Sequence, residues 1–338
     1  MSRALLLLLL LAIIAGAAAR LAFSFYLEKE GPPLSAPIRI DVAIGEPFRS
    51  TARKLEAAGL VRSALAVTLW ARWTHVDRQI QHGAYQFTEP GSAIALVGKM
   101  RSGEAMVMRV TLPEGGTVRD LAAALQHAGL GDAAKFLALA RDPGFAAKLG
   151  IAGSGLEGYL FPETYTFSPL DSPEKILAAF VAQFRRVFTA EMTADAERQG
   201  FTVHQIVTLA SVIEKETGRD DERPLVSAVF RNRLRLGMPL QADPTVIYGI
   251  SEFNGNLTKK DLETPTAYNT YTTTGLPPGP ISNPGRSSLA AALHPADAPF
   301  LYFVARDDGT HVFNTSLEDH NRAVNRYQRS HHARAVAG

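Results

Sequence analysis

The sequence predicts an α+β protein with an N-terminal apolar helix, a duplicated small unit after it, and a C-terminal domain of helices and long loops. Three observations support this prediction. An apolar segment runs from residue 4 almost unbroken to residue 27. A sequence repeat begins at Val42 and again at Leu112. Helical periodicity then gives way, between residues 237 and 285, to a stretch rich in Pro, Gly, Thr, Tyr and Asn.

Length and composition narrow the class of protein. A chain of 338 residues is long enough for about two domains with their own cores. It carries 35 basic and 33 acidic residues, a net charge of +2, and no recurrent basic stripe. Nucleic acid is therefore not an expected partner. The absence of cysteine excludes disulfides, thiolate metal sites and a cysteine nucleophile.

The N-terminal segment, residues 1–27, predicts a transmembrane anchor. Ala4 to Ala19 contains no polar side chain, Arg20 follows, and apolar residues resume up to Leu27. At about 1.5 Å per residue this segment crosses a bilayer core of about 30 Å. Arg20 would extend to the interface, and Tyr26 would lie among the interfacial aromatic residues.

A cleaved signal peptide is the alternative, because the small residues 17–19 match a cleavage site. We favour a retained anchor, since the apolar residues after Arg20 complete a span. In either case, residue 28 onwards is exported. Residues 28–37 then form a Pro-rich linker that lifts the rest of the protein off the membrane.

The repeat predicts a duplicated small α+β unit within residues 38–148. "VAIGEPFRSTARKLEAAGL" aligns with "LPEGGTVRDLAAALQHAGL", and each copy reads as a strand, a Gly turn and an amphipathic helix closed by Gly. Such units pack or bind, and we find no chemistry in them. Further elements follow from periodicity. They are a strand at 83–87 and helices at 94–100, 133–140, 173–188, 203–217 and 223–236.

Common catalytic motifs are missing from the sequence. It has no Walker loop, no G-x-S-x-G and no H-E-x-x-H, and its nine histidines are scattered. No metal and no cofactor are therefore expected. The remaining chemical groups are carboxylates, tyrosines and amides.

The stretch "SVIEKET" ends the predicted helix at 203–217. At about 100° per residue, Ile206 to Ile213 form a buried stripe and Lys215 lies opposite it. Glu214 and Glu216 fall on the two shoulders of the stripe, so they do not pair with each other. A half-buried carboxyl without a nearby cation has a raised pKa, which suits a general acid. From this geometry alone, ion-paired boundary residues are the simpler interpretation of both.

The long loops after this helix contain the groups that a glycan site needs. Aromatic faces pack on sugar rings, and polar groups satisfy sugar hydroxyls, which cost about 1–3 kcal/mol each when left unpaired. Each group also has a structural explanation, as a turn residue or as a core tyrosine with a solvated hydroxyl. The candidates are Gln241, Asp243, Thr245, Tyr248, Thr266, Tyr268, Asn269 and Tyr271.

Five strings occur in order behind the apolar segment: "LEGYLFPETY", "ASVIEKET", "RNRLRLGMPLQADPTVIYG", "DLETPTAYNTYTTTGLPPGPI" and "HVFNTSLEDHN". With them the chain resembles, over nearly its whole length, the YceG-like family of endolytic murein transglycosylases. The resemblance implies a single-pass protein of the bacterial inner membrane with an extracytoplasmic LysM-like subdomain and a catalytic domain at 149–338. It also implies that the first Glu of "EKET", Glu214, is the catalytic acid and base.

The implied reaction cleaves the MurNAc–GlcNAc β-1,4 bond of nascent peptidoglycan, forms a 1,6-anhydro end and terminates strand elongation. Glycan strands, the membrane and peptidoglycan synthases are the expected partners. We expect Glu163 and Asn314 to line the glycan groove with the loop candidates. Two alternatives remain: a muramidase that pairs Glu214 with Glu163 or Asp243, and a non-catalytic glycan-binding scaffold of the elongation machinery. The sequence assigns Glu216 no role beyond an ion pair.

Overall fold

The computed structural model describes residues 3–329 and has a mixed α+β fold, which confirms the predicted class. Residues 1–2 of the predicted anchor and 330–338 of the predicted catalytic domain lie outside the described residues. The chain forms two compact units: unit 1 is Met1–Met108 with Thr166–Asp171, and unit 2 is Arg109–Tyr165 with Ser172–Gly338. The LysM-like character of residues 38–148 and a domain boundary at 149 stay predictions.

Unit 1 combines a long helix with a strand pair and shorter helices. Its elements are α1 (Arg3–Glu28), β1 (Ile38–Val42), α2 (Phe48–Ala57), α3 (Ala64–Trp73), β2 (Gly83–Phe87) and α4 (Ala93–Ser102). Strands β1 and β2 are antiparallel, with Ile40 opposite Tyr85. The Tyr85 ring is fully buried, and its hydroxyl donates to the carbonyl oxygens of Gln81 and Met100, at 2.7 and 3.1 Å. Because the hydroxyl is satisfied, the ring can occupy the core without an unpaired polar group.

The C-terminal end of α1 belongs to the core of unit 1. Leu27 is 1% exposed and Phe23 packs against the same core. The linker that follows is also attached, since the Gly31 amide donates to the Gly91 carbonyl at 3.2 Å and Leu34 packs on the core. Residues 28–37 therefore do not hold unit 1 away from the helix. By length and composition, residues 5–28 of α1 could cross a membrane.

Both copies of the repeat have the predicted local structure. The first is β1, a turn and α2; the second is β3 (Met108–Thr111), a turn and α5 (Val118–His127). Each helix ends on a glycine with positive φ, 74° at Gly59 and 73° at Gly129. The next amide closes the helix by donating to a carbonyl five residues back, as Leu60 does to Leu55 at 2.9 Å. The helix of the first copy lies in unit 1 and that of the second in unit 2.

Unit 2 is built mainly from helices around a central one. After α5 come α6 (Ala133–Ala140), α7 (Pro143–Lys148), β4 (Thr164–Phe167), α8 (Pro173–Val187), α9 (Ala190–Arg198), α10 (Val203–Glu216) and α11 (Arg223–Arg235). They are followed by α12 (Asp243–Gly249), α13 (Lys259–Glu263), α14 (Arg286–Leu293), β5 (Tyr302–Ala305), β6 (His311–Asn314) and α15 (Leu317–Val324). Strands β3 and β4 pair, as do β5 and β6. The predicted helices of this region are confirmed.

Helix α10 is the centre of unit 2 because its sequence fixes both its start and its burial. Thr202 and Gln205 form a reciprocal capping box at the N-terminus. Every residue from Ile206 to Ile213 is buried, and the helix packs against α9, α11, α12 and α14. Its titratable side chains are therefore confined to its two ends, with His204 in the first turn and Glu214, Lys215 and Glu216 in the last.

The stretch from 237 to 285, expected as long loops, contains the two short helices α12 and α13. Pro244 lies in the first turn of α12, where its missing N–H removes no helical hydrogen bond. Thr258 and Asp261 form a capping box on α13. The Asn269 side chain closes the segment by donating to the carbonyls of residues 261, 262 and 264. Loops cover most of this stretch as predicted, and only the two short helices were not predicted, since Pro244 in α12 and the capping box on α13 favour helical turns within a Pro- and Gly-rich composition.

Gly158 is a position where we expect a single methyl group to destabilise unit 2. Its φ is +86°, and an added Cβ would lie 2.5 Å from Pro280 and 2.9 Å from Val207. Gly158→Ala is expected to cost about 2–4 kcal/mol, measured by chemical unfolding in detergent. Gly200→Ala is the matched control, because Gly200 has a φ of +77° but open space around it. Equal losses in both variants would show that backbone conformation, and not packing, decides the effect.

Candidate active site

The two glutamates of "SVIEKET" lie at the C-terminal end of α10 and point to different surroundings. The Glu214 side chain is 5% exposed and reaches Arg223 and Gly285. Glu216 lines a cavity formed with residues from α11, α12, the 270s segment and the β5–β6 strand pair. The predicted separation of the two carboxylates is therefore confirmed.

Both carboxylate oxygens of Glu214 accept hydrogen bonds. Arg223 Nη2 donates to Oε1 at 3.1 Å, and the Gly285 backbone N–H donates to Oε2 at 2.9 Å. Arg223 is equally buried and also contacts Asp220 and the Ser288 hydroxyl. Ion pairing was the simpler interpretation of Glu214 from helical phase alone, and the structure confirms an arginine beside it. A carboxylate that accepts from an arginine and a backbone amide is poorly arranged to donate a proton.

Glu216 opens onto a cavity of about 460 Å³. Three of the predicted substrate-binding residues share this cavity: Gln241, Asp243 and Tyr271. The other lining residues are Arg233, Leu240, Phe303, Val304, Ala305, His311, His320 and Val324. The cavity thus combines an acid, an amide, a hydroxyl and aromatic faces, as expected for a glycan site.

The surroundings of Glu216 favour its protonated form. Burial raises the pKa of Glu216 to about 8, the nearby Asp243 carboxylate raises it further, and Arg233 opposes them. At neutral pH the group therefore carries a proton, as a general acid must. Asp243 accepts a hydrogen bond from the Tyr271 hydroxyl at 2.5 Å, and both burial and Asp243 raise the pKa of that hydroxyl.

Arg233 organises the wall of the cavity beside Glu216. Its guanidinium donates to the carbonyl oxygens of Leu301, Pro239 and Leu240, and to the side-chain oxygen of Gln241 at 3.2 Å. Gln241 has a φ of +51°, which is unusual for a residue with a side chain. Conformations of this kind cost free energy and concentrate at functional sites. Arg233 thereby fixes the Gln241 amide at the cavity.

A second buried carboxylate lies in a smaller cavity of about 80 Å³ that Glu157, Tyr248 and Tyr268 line. Burial raises the pKa of Glu157 to about 7, while hydrogen bonds from the Val118 amide and the Tyr248 hydroxyl oppose the shift. Asn283 donates to Glu157 at 3.0 Å. The predicted candidates Tyr248 and Tyr268 thus surround Glu157, and not Glu214.

Five other predicted site residues contact only other parts of the protein and do not line the Glu216 cavity. Thr245 and Asn269 are fully buried, Thr245 bonded to Ala242 and Thr270 and Asn269 to its neighbours in the chain, so neither can reach a ligand in this conformation. Thr266 packs against Gly249. The remaining two, Glu163 and Asn314, lie outside both cavities, Glu163 bonded to Gln183 at 2.7 Å and Asn314 to Val312.

The turn of the second repeat copy contacts the same end of α10. Lys215 Nζ donates to the Gly115 carbonyl at 3.4 Å, and the Gly115 amide donates to the Asn283 carbonyl at 2.9 Å. Asn283 in turn bonds Gly116 and Glu157. This copy was expected to pack or to bind, and it packs beside Glu214.

Four residues at these sites were not predicted from the sequence: Glu216, Arg233, Arg223 and Glu157. Glu216, Arg233 and Glu157 lie in the quoted strings and Arg223 lies between two of them, but their roles depend on which face of a helix or loop meets a cavity. Among residues 3–329, no group of three or more His, Asp or Glu side chains is arranged to hold a metal ion.

Glu216, with its raised pKa, shares a polar cavity with a carboxylate, a hydroxyl and an amide, an arrangement suited to general acid–base chemistry. A model of the YceG-like family matches residues 40–326. A crystal structure at 2.6 Å resolution of a YceG-like protein from Listeria monocytogenes superposes with a TM-score of 0.59 at 31% identity, covering 86% of this chain and 99% of that one.

Two relatives carry the name endolytic murein transglycosylase. The Bacillus subtilis (strain 168) protein is 32% identical over 306 residues, which cover 86% of this chain and 84% of that protein. The protein from Streptococcus pneumoniae serotype 2 is 27% identical over 329 residues, covering 86% of this chain and 59% of that longer protein. The chain belongs to the YceG-like family.

Proposed function

We propose that this protein is an endolytic murein transglycosylase that cleaves the MurNAc–GlcNAc β-1,4 bond within peptidoglycan strands, with Glu216 as its acid and base. The observation that carries the proposal is the position of Glu216, which shares a cavity with Gln241, Asp243 and Tyr271 and whose pKa is raised to about 8 by burial. Two relatives bear the name of this activity. The catalytic role thus moves from Glu214, which the sequence predicted, to the second glutamate of the same motif.

One carboxyl group is enough for the proposed reaction. Neutral Glu216 gives its proton to the glycosidic oxygen as the bond from that oxygen to C1 of MurNAc breaks. The Glu216 carboxylate then takes the proton of the MurNAc C6 hydroxyl while O6 bonds to C1. The products are a GlcNAc 4-hydroxyl and a 1,6-anhydro end, and no water is consumed. Glu216 ends protonated and ready for another cycle.

Asp243 has a supporting role in this mechanism. As a carboxylate next to Glu216 it keeps the acid protonated, and it stabilises positive charge that develops at C1. Because Asp243 lies next to Glu216, a hydrolytic reaction is the alternative to be tested. A muramidase would use Asp243 as nucleophile or base.

Mass spectrometry of the products separates the two reactions. We expect uncrosslinked glycan strands to yield fragments that end in 1,6-anhydro-MurNAc, lighter than the hydrated end by one water. In ¹⁸O-labelled water, lytic products carry no label, whereas hydrolysis places ¹⁸O at the new reducing end. Labelled ends as the main product would contradict the lytic mechanism and favour the muramidase.

We further propose that α1 spans the bacterial inner membrane with units 1 and 2 outside the cytoplasm. The apolar length of α1 supports a single-pass anchor, and an extracytoplasmic orientation would bring the cavity to nascent glycan strands. The LysM-like role of the repeat copies and a partnership with peptidoglycan synthases belong to the same proposal.

A further inference from the structure

Helix α3 carries an exposed apolar face that the proposed activity does not use. Leu65, Leu69 and Trp73 recur every four residues and are 68%, 53% and 58% exposed. The opposite face packs into the core of unit 1 through Val67 and Ala71. Three large apolar residues in one row mark a surface that something covers.

The position of α1 indicates what covers this face. Trp73 lies against α1, with the Arg20 guanidinium 4.9 Å from the centre of its ring. Near the other end of α3, Val67 and Leu27 line one small cavity. These two contacts place the C-terminal end of α3 on the side of the apolar segment, next to Arg20, and Val67 nearer the end of α1.

The length of α1 indicates how deep Trp73 lies relative to the bilayer. From Arg3 to Arg20 the helix rises about 26 Å, close to the roughly 30 Å of a bilayer core. Leu27 cannot face lipid, because it is buried in the protein core. If Arg3 and Arg20 mark the two edges of the core, Arg20 and the Trp73 ring both lie at the outer interface, where Trp is favoured.

The charged residues near the C-terminal end of α3 are mostly basic, which suits contact with lipid headgroups. Arg72 and Arg78 are exposed, and Asp77 is the one acidic residue between positions 62 and 82. Basic side chains next to an apolar face are typical of segments that lie in the headgroup region of anionic membranes.

We propose that the C-terminal end of α3, with Trp73 and Leu69, lies in the lipid headgroup region and fixes unit 1 against the membrane surface. This surface is a second membrane contact, separate from the α1 span, and the inference rests on the proposed anchoring by α1. It would hold unit 1 at a set orientation to the bilayer.

The chain has two tryptophans, Trp70 and Trp73, and this allows a direct test. The full-length protein is reconstituted in phosphatidylethanolamine–phosphatidylglycerol vesicles, with a spin label near the headgroup end of the lipid acyl chains. Trp70→Phe leaves Trp73 as the single fluorophore, and Trp73→Phe leaves Trp70, which packs against the core. We expect lipid quenching of Trp73 to exceed that of Trp70 by about twofold or more.

Three outcomes would overturn the proposal. Trp73 quenched by iodide in the aqueous phase and not by the lipid label would place α3 in water. Lipid quenching of Trp73 that appears only when the protein is diluted with excess labelled lipid would show that a second copy of the chain covers the face. Release of the protein by alkaline carbonate would show that α1 is no anchor, which also removes the proposed localisation. The product analysis above is independent of all three.

Discussion

Glu216→Gln is expected to lower the rate of glycan cleavage by about 10³-fold or more, while the fold of unit 2 is retained. Glutamine has the shape of glutamic acid but cannot donate a proton to the glycosidic oxygen, and general acid–base groups contribute about 10² to 10⁴ in rate. The measurement is the release of anhydro fragments from uncrosslinked strands. The non-catalytic scaffold predicts equal release, or none, from the wild type and the variant.

Glu214→Gln is the matched control, since it makes the same change two residues away. It removes one member of a buried ion pair and leaves the acid in the cavity, so the folded variant is expected to retain most of the rate. Activity is compared per folded molecule, with circular dichroism as the measure of folding. Loss of turnover in a folded Glu214→Gln variant, with turnover kept in Glu216→Gln, would return the catalytic role to Glu214.

The pH profile gives a second measure of the same group. Because the pKa of Glu216 is raised to about 8, the fraction that carries the proton falls as the pH rises through that value. The rate is therefore expected to fall on the alkaline side near pH 8. Asp243→Asn removes the adjacent carboxylate, so this alkaline limb is expected to move to lower pH. An unchanged limb would show that Asp243 does not act on Glu216.

Arg223→Met is expected to destabilise unit 2 by about 3–5 kcal/mol, the largest effect on stability that we expect. Arg223 and Glu214 are each 5% exposed, so removal of the arginine leaves a buried carboxylate without its cation. Water cannot replace the lost contact at low cost in such a place. Chemical unfolding in detergent gives the size of the effect.

Two comparisons separate this explanation from a general loss of packing. Arg322→Met removes an arginine that is 65% exposed and paired with Glu318 and Asp319, and little change is expected because solvent screens such pairs. The double variant Glu214→Gln with Arg223→Met is expected to be more stable than Arg223→Met alone. If the double variant were the less stable one, the uncompensated charge would not be the cause.

The local structure could be predicted because its determinants lie close together in the sequence. The helix at 203–217 follows from its apolar period, and its start from a Thr–Gln capping pair. The glycines that close α2 and α5 are visible in the repeat. The short helices α12 and α13 were missed, because composition suggested loops, whereas Pro244 lies in the first turn of α12 and a Thr258–Asp261 capping box starts α13.

The candidate site could be predicted only as a set of residue types. Of the loop residues, Gln241, Asp243 and Tyr271 meet at the Glu216 cavity, whereas the Asn269 side-chain amide donates to backbone carbonyls. Nothing in the order of residues separates these outcomes, because each depends on which atoms a folded segment turns inward.

The sequence by itself determined the α+β class, the apolar segment, the repeat, the helices around "SVIEKET" and the membership of a glycan-cleaving family. It also determined that Glu214 and Glu216 lie on different sides of one helix, since helical phase is a local property. Only the tertiary structure decided between them. Arg223 and Gly285 reach Glu214 from later segments, and the cavity at Glu216 is formed by groups such as Asp243 and Tyr271. The protonation state of a carboxyl depends on burial and nearby charge, and both are set by contacts between distant parts of the chain.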